Sequence, residues 1–171
     1  MNVRDRLQPA LLDRLTDLAP LSLVEADDTR VMNKSQIRDA VLRDLSWLLN
    51  SVQSLGKLAQ QYPQAADSVL NYGLPAMSGQ LASRVDVGQL ERTIKQAILR
   101  FEPRVMEDSL EVKALEATSV LDTHNVIEFE IRGFMWAQPV PLELLLRTQI
   151  DLEAGQVEVR DMGGSAPRRR P

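Results

Sequence analysis

One stretch of the sequence decides the fold, Phe101-Glu102-Pro103-Arg104-Val105, because it separates a helical pattern from a strand pattern. Proline disfavours the α conformation for the residue before it and donates no backbone hydrogen bond, so the helix that leads to Pro103 must end there. The corner carries a carboxylate and a guanidinium, and arginine offers a planar fork of donors that a carboxylate accepts. Such a pair can brace its own fold or bind a partner.

Two amphipathic helices are predicted before this corner. The helix over 86–101 has apolar residues at helical spacing, and Asp86 begins it with Gln89 at the spacing of a capping box. The helix over 36–50 has apolar residues at spacings of four, four and three, with Ser35 as a suitable N-cap. Each helix therefore has one face to bury.

The rest of the N-terminal half is less regular. Leucines at helical spacing predict a short helix over 7–18, which packs on its own domain, the favoured interpretation, or on a partner. Residues 51–85 contain several prolines and glycines and predict an irregular segment with one short helix near 64–70. The predicted organisation is a short helix and polar linker over 1–34, an α+β domain over 35–161 and a disordered basic tail over 162–171.

After the corner the apolar period changes to two, which is typical of half-buried strands. The predicted strands are one from Leu110 that slips near Leu115, one over 127–132 ended by Gly133, one over 142–152, and a short one through Val157 and Val159 after a turn at 153–155. Helices followed by antiparallel strands predict an α+β fold, in which the two long helices cover one face of a small sheet. The sheet edges stay open, and an unpaired edge is a template for an added strand.

Composition narrows the class of protein. Apolar residues make up 44% and charged residues 26% of the 171 residues, within the globular range. The net charge of −4 argues against general nucleic-acid binding. The absence of cysteine excludes thiolate metal sites, and a single histidine, His124, excludes a multi-histidine site. No apolar run approaches the about 20 residues that span a bilayer, so we expect a soluble, cytoplasmic protein.

The sequence predicts no catalytic residue, no metal and no cofactor. It contains no glycine-rich phosphate loop and no nucleophile elbow. Glu102 could be proposed as the acid of a glycosidase, but the adjacent cation of Arg104 favours a charged carboxylate, the wrong form for a general acid. His124 is interpreted as a solvated turn residue.

Several stretches together resemble the TssE family of type VI secretion baseplate subunits, a branch of the phage baseplate-wedge family once called lysozyme-like. They are Leu11-Leu12-Asp13-Arg14-Leu15, Asp44-Leu45-Ser46-Trp47-Leu48-Leu49-Asn50, Ser68-Val69-Leu70-Asn71-Tyr72-Gly73-Leu74-Pro75, Phe101-Glu102-Pro103-Arg104, Glu128-Phe129-Glu130-Ile131-Arg132-Gly133 and Asp151-Leu152-Glu153-Ala154-Gly155. They occur in the family's order and cover most of residues 11 to 160.

The resemblance implies a non-enzymatic subunit at the cytoplasmic side of the inner membrane. It implies that Glu102, Pro103 and Arg104 hold the subunit to the wedge proteins TssF and TssG, and TssK is a further possible partner. It also implies that the sheet, through its strand over Glu128, Phe129, Glu130, Ile131, Arg132 and Gly133, templates the contractile sheath built from TssB and TssC. From the residues alone, the charges of that strand are more simply its solvated face.

Two other functions stay open on the sequence. A small regulatory protein related to an anti-adaptor of regulated proteolysis has a similar fold, and a muramidase would match the old lysozyme-like label. We expect that loss of Arg104 abolishes wedge binding and leaves the isolated fold intact.

Overall fold

The computed structural model describes residues 10–16, 20–21, 32–79, 85–115, 125–137 and 140–163. Within these residues the helices precede the strands, which confirms the predicted α+β fold. The elements are α1 (Leu11–Leu15), α2 (Lys34–Asn50), α3 (Pro63–Ala66), α4 (Val87–Phe101), β1 (Glu111–Ala114), β2 (Val126–Met135), β3 (Leu142–Asp151) and β4 (Gln156–Asp161), with 3₁₀ turns at Gly56–Gln60, Val69–Asn71 and Glu107–Ser109.

The four strands form one antiparallel sheet in the order β1-β2-β3-β4. The predicted turn at 153–155 joins β3 to β4, and Gly155 adopts the positive φ of 68° that glycine accepts without strain. The prediction that Gly133 ends its strand is wrong. Gly133 pairs with Leu144 and the ladder continues to Met135, because glycine weakens a strand without forcing it to stop.

The helices α2 and α4 share one core with one face of the sheet, as the sequence predicts. The buried residues alternate along β2 and β3 and recur at helical spacing along α2 and α4: Phe129, Ile131, Leu144, Leu146, Ile150, Val41, Leu45, Leu48, Ile94 and Ile98. The opposite sheet face carries charged side chains, among them the ion pair of Glu130 with Arg132 at 2.7 Å. The core therefore lies on one side of the sheet only.

Side-chain caps fix where the two long helices begin. The Asp86 side chain accepts a hydrogen bond from Gln89 N at 2.9 Å, as predicted. The prediction of Ser35 as the other cap is wrong, because α2 starts two residues earlier, at Lys34. Asn33 accepts from Gln36 N at 2.9 Å while Gln36 Oε1 accepts from Asn33 N at 2.8 Å, so a capping box satisfies two donors that Ser35 would leave unpaired.

The described part of the segment after α2, residues 51–79, is more ordered than its composition predicts. Leu74 N donates to Ser51 O at 2.8 Å and Gln53 N donates to Leu74 O at 2.8 Å, which forms a short parallel bridge. Gly73 makes this approach possible, because a Cβ at that position would lie 2.2 Å from Ser51 O.

The leucines of α1 do not enter the core, contrary to the favoured interpretation. Leu11 and Leu15 are 72% and 73% exposed, while Asp13 between them forms an ion pair with Arg43 of α2. Leu7, Leu18, His124 and the arginines of the tail lie outside the described residues, and the predicted domain boundaries stay predictions. No helix within the described ranges is long and apolar enough to cross a membrane.

Candidate protein-interaction site at the Glu-Pro-Arg corner

The corner is built by the end of α4. Glu102 N donates to Ile98 O at 2.8 Å as the last helical hydrogen bond, and Pro103 follows without a donor of its own. Val105 N then donates to Glu102 O at 3.1 Å, which closes a turn around the proline. The turn brings the Glu102 and Arg104 side chains to the same side.

Glu102 and Arg104 face each other. Arg104 Nε donates to Glu102 Oε1 at 2.6 Å and Arg104 Nη2 donates to Oε2 at 2.5 Å, in the two-bond geometry of a fork on a carboxylate. The backbone N of Arg104 adds a third hydrogen bond to Oε1 at 3.1 Å. Glu102 is only 3% exposed, so its carboxylate lies in the interior of the domain.

A second carboxylate, on α2, binds the same guanidinium. Asp44 Oδ2 accepts from Arg104 Nη2 at 2.5 Å, while Asp44 Oδ1 accepts from Arg43 Nε at 2.9 Å. Arg43 Nη1 in turn donates to Asp13 Oδ1 of α1 at 2.5 Å. We call this alternating series of charges, from Asp13 to Glu102, the ionic chain. It ties α1, α2 and the corner together.

At the two arginines of the ionic chain, the neighbouring carboxylates raise the pKa by more than burial lowers it. Burial alone lowers the pKa of Arg104, but the hydrogen bonds and charges of Glu102 and Asp44 raise that pKa above its ordinary value. The hydrogen bond from Asp13 raises the pKa of Arg43. Both guanidinium groups therefore remain cationic at any pH at which the protein folds.

Tyr72 packs beside the chain of charges. Its ring meets Phe101 edge-on with the centroids 5.1 Å apart, and its hydroxyl lies 3.4 Å from Asp44 O. Burial raises the pKa of the Tyr72 hydroxyl, and the charges of Asp44 and Glu102 raise it further.

The corner is also part of the sheet. Trp136 N donates to Arg104 O at 2.7 Å and Met106 N donates to Phe134 O at 2.8 Å, while Val105 pairs with Met135. These bonds continue the ladder of β2 beyond β1. The corner thus links the end of α4, the middle of α2 and the end of β2.

One side of this junction is open to solvent. Met106, Phe134 and Trp136, which backbone hydrogen bonds join to the corner, are 40%, 46% and 52% exposed, and the Arg104 side chain is 28% exposed. We call these four residues the corner surface. Within the described part of the chain, no hydrogen bond of Arg104 uses Nη1, so this nitrogen can bind an acceptor on a partner.

The strand over Glu128 to Gly133 lies elsewhere, in the interior of the sheet. Residues 129–132 pair with β1 on one side and with β3 on the other. A further strand can pair directly with them only if β1 leaves. Strand addition to the intact sheet is therefore confined to the outer edges of β1 and β4.

The corner is suited to holding and binding, not to proton transfer. Both oxygens of Glu102 accept hydrogen bonds from Arg104, so neither is presented to solvent. Among the described residues no group of three or more acidic or histidine side chains could hold a metal ion. Sequence reasoning found Glu102 and Arg104 but missed Arg43 and Asp44, although Asp44 opens one of the stretches that carry the family resemblance.

The chain is thus a small α+β domain whose helices and sheet meet at the Glu-Pro-Arg corner. The family model described as baseplate wedge protein gp25 matches residues 35–140, more than half of the chain, and the chain belongs to this family. This is the family of TssE. No curated protein and no solved structure matches the chain. The family supports a structural role in a phage-tail-like baseplate, in contact with other baseplate or tail proteins, and suggests a non-enzymatic role.

Proposed function

We propose that this chain is a type VI secretion baseplate subunit that docks on the wedge proteins TssF and TssG through the corner surface. The observation that carries the proposal is the exposure of two aromatic residues and a methionine on the backbone ladder that Arg104 joins, together with a guanidinium that its own domain already orients. Aromatic residues, methionine and arginine are the types enriched at the centres of protein interfaces. The cytoplasmic location and a contact with TssK belong to the same proposal.

The role of Glu102 and Pro103 in this proposal is indirect. Pro103 fixes the turn, and Glu102 with Asp44 holds the guanidinium in one orientation. An arginine that is already ordered loses less conformational entropy on binding than a free side chain does. Wedge binding through the corner therefore requires all three residues, although Arg104 and its apolar neighbours make the contact.

The test is a pull-down of the folded chain with TssF and TssG. Arg104→Lys keeps a cation near Glu102 but loses the fork and Nη1, and we expect it to lose wedge binding. Arg160→Lys, in an exposed ion pair with Glu158, is the matched control and should bind as wild type. Undiminished binding by Arg104→Lys would rule out the corner as the anchor.

We further propose that the sheet, with Glu128 to Gly133 in one of its two inner strands, templates the first ring of the TssB and TssC sheath. Incoming strands would add at an outer edge, and the charges of Glu130 and Arg132 would orient them on the exposed face. Reversing both charges, with Glu130→Arg and Arg132→Glu together, preserves their mutual pairing and the core. We expect such a chain to enter the baseplate without forming sheaths, and normal fluorescent sheaths would contradict the template role.

A further inference from the structure

A side chain of α2 occupies part of the outer edge of β4. Val157 lies opposite Ile150 of β3, but both of its backbone groups point away from β3. Asn50 Nδ2 donates to Val157 O at 2.8 Å, and Val157 N donates to Asn50 Oδ1 at 2.9 Å. A residue of a neighbouring antiparallel strand makes the same two-bond exchange. The Asn50 side chain therefore makes the hydrogen bonds that a residue of a neighbouring strand would make.

The helix α2 holds β4 at two points and leaves a position between them. At the far end, Arg38 Nε and Nη2 each donate to the Asp161 carboxylate at 2.5 Å. Because outward-pointing backbone groups recur every second residue along a strand edge, those of Val159 point the same way as those of Val157. Within the described residues they form no hydrogen bond, so the backbone groups of Val159 lack a hydrogen-bond partner at this edge.

The other edge of the sheet is less suited to a new strand. β1 has only four residues, and its outward Ala114 N already donates to Glu91 Oε1 of α4 at 2.7 Å. Very short edge strands are a common protection against strand pairing. β4 has six residues.

The sequence of β4 is complementary to itself in an antiparallel register. If two copies pair symmetrically about Val159, Glu158 of each copy lies opposite Arg160 of the other, and opposite charges across strands stabilise the pair. Both side chains are more than half exposed and already attract each other within one copy, at 2.8 Å. The same register places Val157 opposite Asp161 of the second copy, which is the position that Asn50 now fills.

We propose that the outer edge of β4 is a self-association surface that fits β4 of a second copy, and that Asn50 restrains this pairing. Asn50 is exposed, so its side chain can turn away into solvent. When a second copy pairs with β4, Val157 exchanges its two hydrogen bonds to the Asn50 side chain for two hydrogen bonds to the incoming strand. Asn50 therefore competes with the second copy and does not exclude it. This inference uses no residue of the corner surface and does not rest on the wedge or sheath proposals.

Sedimentation velocity of the full chain over a range of concentrations tests the inference. Wild type should dimerise weakly at the highest concentration, and Asn50→Ala should dimerise about tenfold to a hundredfold more tightly. Adding Arg160→Glu places carboxylates opposite each other and should abolish the dimer in both backgrounds. Adding Glu158→Arg as well restores opposite charges and should restore the dimer.

The matched control is Glu91→Ala, which uncaps the other edge and should leave the dimerisation constant unchanged. A folded Asn50→Ala chain that dimerises no more than wild type would overturn the inference, as would a dimer that is insensitive to Arg160→Glu, which would indicate another surface. If Asn50→Ala does not fold, Asn50→Asp retains the acceptor for Val157 N and is measured in the same way. Comparing the dimerisation of wild type with that of Arg160→Glu tests the β4 surface without any change at Asn50.

Discussion

Removing the Arg104 side chain should destabilise the isolated domain, contrary to the expectation from sequence that its fold is independent of this residue. Arg104→Ala deletes the two side-chain hydrogen bonds to Glu102, at 2.6 and 2.5 Å, and leaves only the backbone bond. The Glu102 side chain is 4% exposed, so its carboxylate would stay buried without a counter-charge.

The size of the effect follows from that burial. Breaking a buried ion pair from one side costs about 3–5 kcal/mol, and two hydrogen bonds to a charged group at about 1.5–3 kcal/mol each give a similar figure. Domains of this kind are stable by roughly 5–15 kcal/mol, so the change is a large fraction of the free energy of unfolding. Asp44 remains paired with Arg43, which limits the damage to the corner.

Urea unfolding monitored by circular dichroism measures this loss. Arg160→Ala, which removes an exposed ion pair with Glu158, should unfold as wild type does. Glu102→Gln together with Arg104→Ala should cost clearly less than the sum of the single changes, because the double variant leaves no buried charge unpaired. A loss below about 1 kcal/mol for Arg104→Ala, or additive single changes, would refute the reasoning, since a buried pair cannot be so weakly coupled.

Three further predictions concern the rest of the domain. Gly73→Ala should lower the free energy of unfolding by more than about 2 kcal/mol, because its Cβ would meet Ser51 O at a φ of 112°, whereas Gly79→Ala has open space and should cost less; equal losses would contradict the packing argument. In thermal unfolding, Asn33→Ala should cost about 1 kcal/mol and Ser35→Ala almost nothing, and the reverse order would place the cap at Ser35. Stability should fall as pH rises above about 10, because the unfolded state releases the Tyr72 proton before the folded state does; urea unfolding at pH 8 and 10.5 should show a smaller fall for Tyr72→Phe, and an identical fall would exclude this cause.

Features that depend on neighbouring residues could be predicted from the sequence. Pro103 ends its helix by its own geometry, and Asp86 caps the same helix through a residue three positions away. Strand alternation predicted which residues of β2 and β3 face the core. The start of α2 was misplaced because Asn33 and Ser35 are both good caps, and only the presence of Gln36 three residues after Asn33 distinguishes them.

Features that depend on distant residues could not be predicted. Arg104 reaches Asp44 across sixty positions, and Asn50 reaches Val157 across one hundred and seven, so neither contact has a local sequence signal. Strand order follows from packing, which is why the strand over Glu128 to Gly133 could be found without showing that it is an inner strand. The surroundings of the α1 leucines could not be predicted either, because Asp13 of the same helix pairs with a residue of another helix.

We expect the exposed apolar side chains of the corner surface to bind the baseplate wedge directly, whereas Glu102 only orients Arg104. The direct measurement is calorimetric titration of the TssF and TssG wedge complex with Trp136→Ser and Val52→Ser. Both variants remove an exposed apolar side chain, and Val52 lies beside the β3–β4 turn, at the other end of the sheet. We expect Trp136→Ser to weaken binding by at least about 2 kcal/mol, roughly thirtyfold, at unchanged stability, and Val52→Ser to bind as wild type. Equal affinities for the two variants would contradict this expectation.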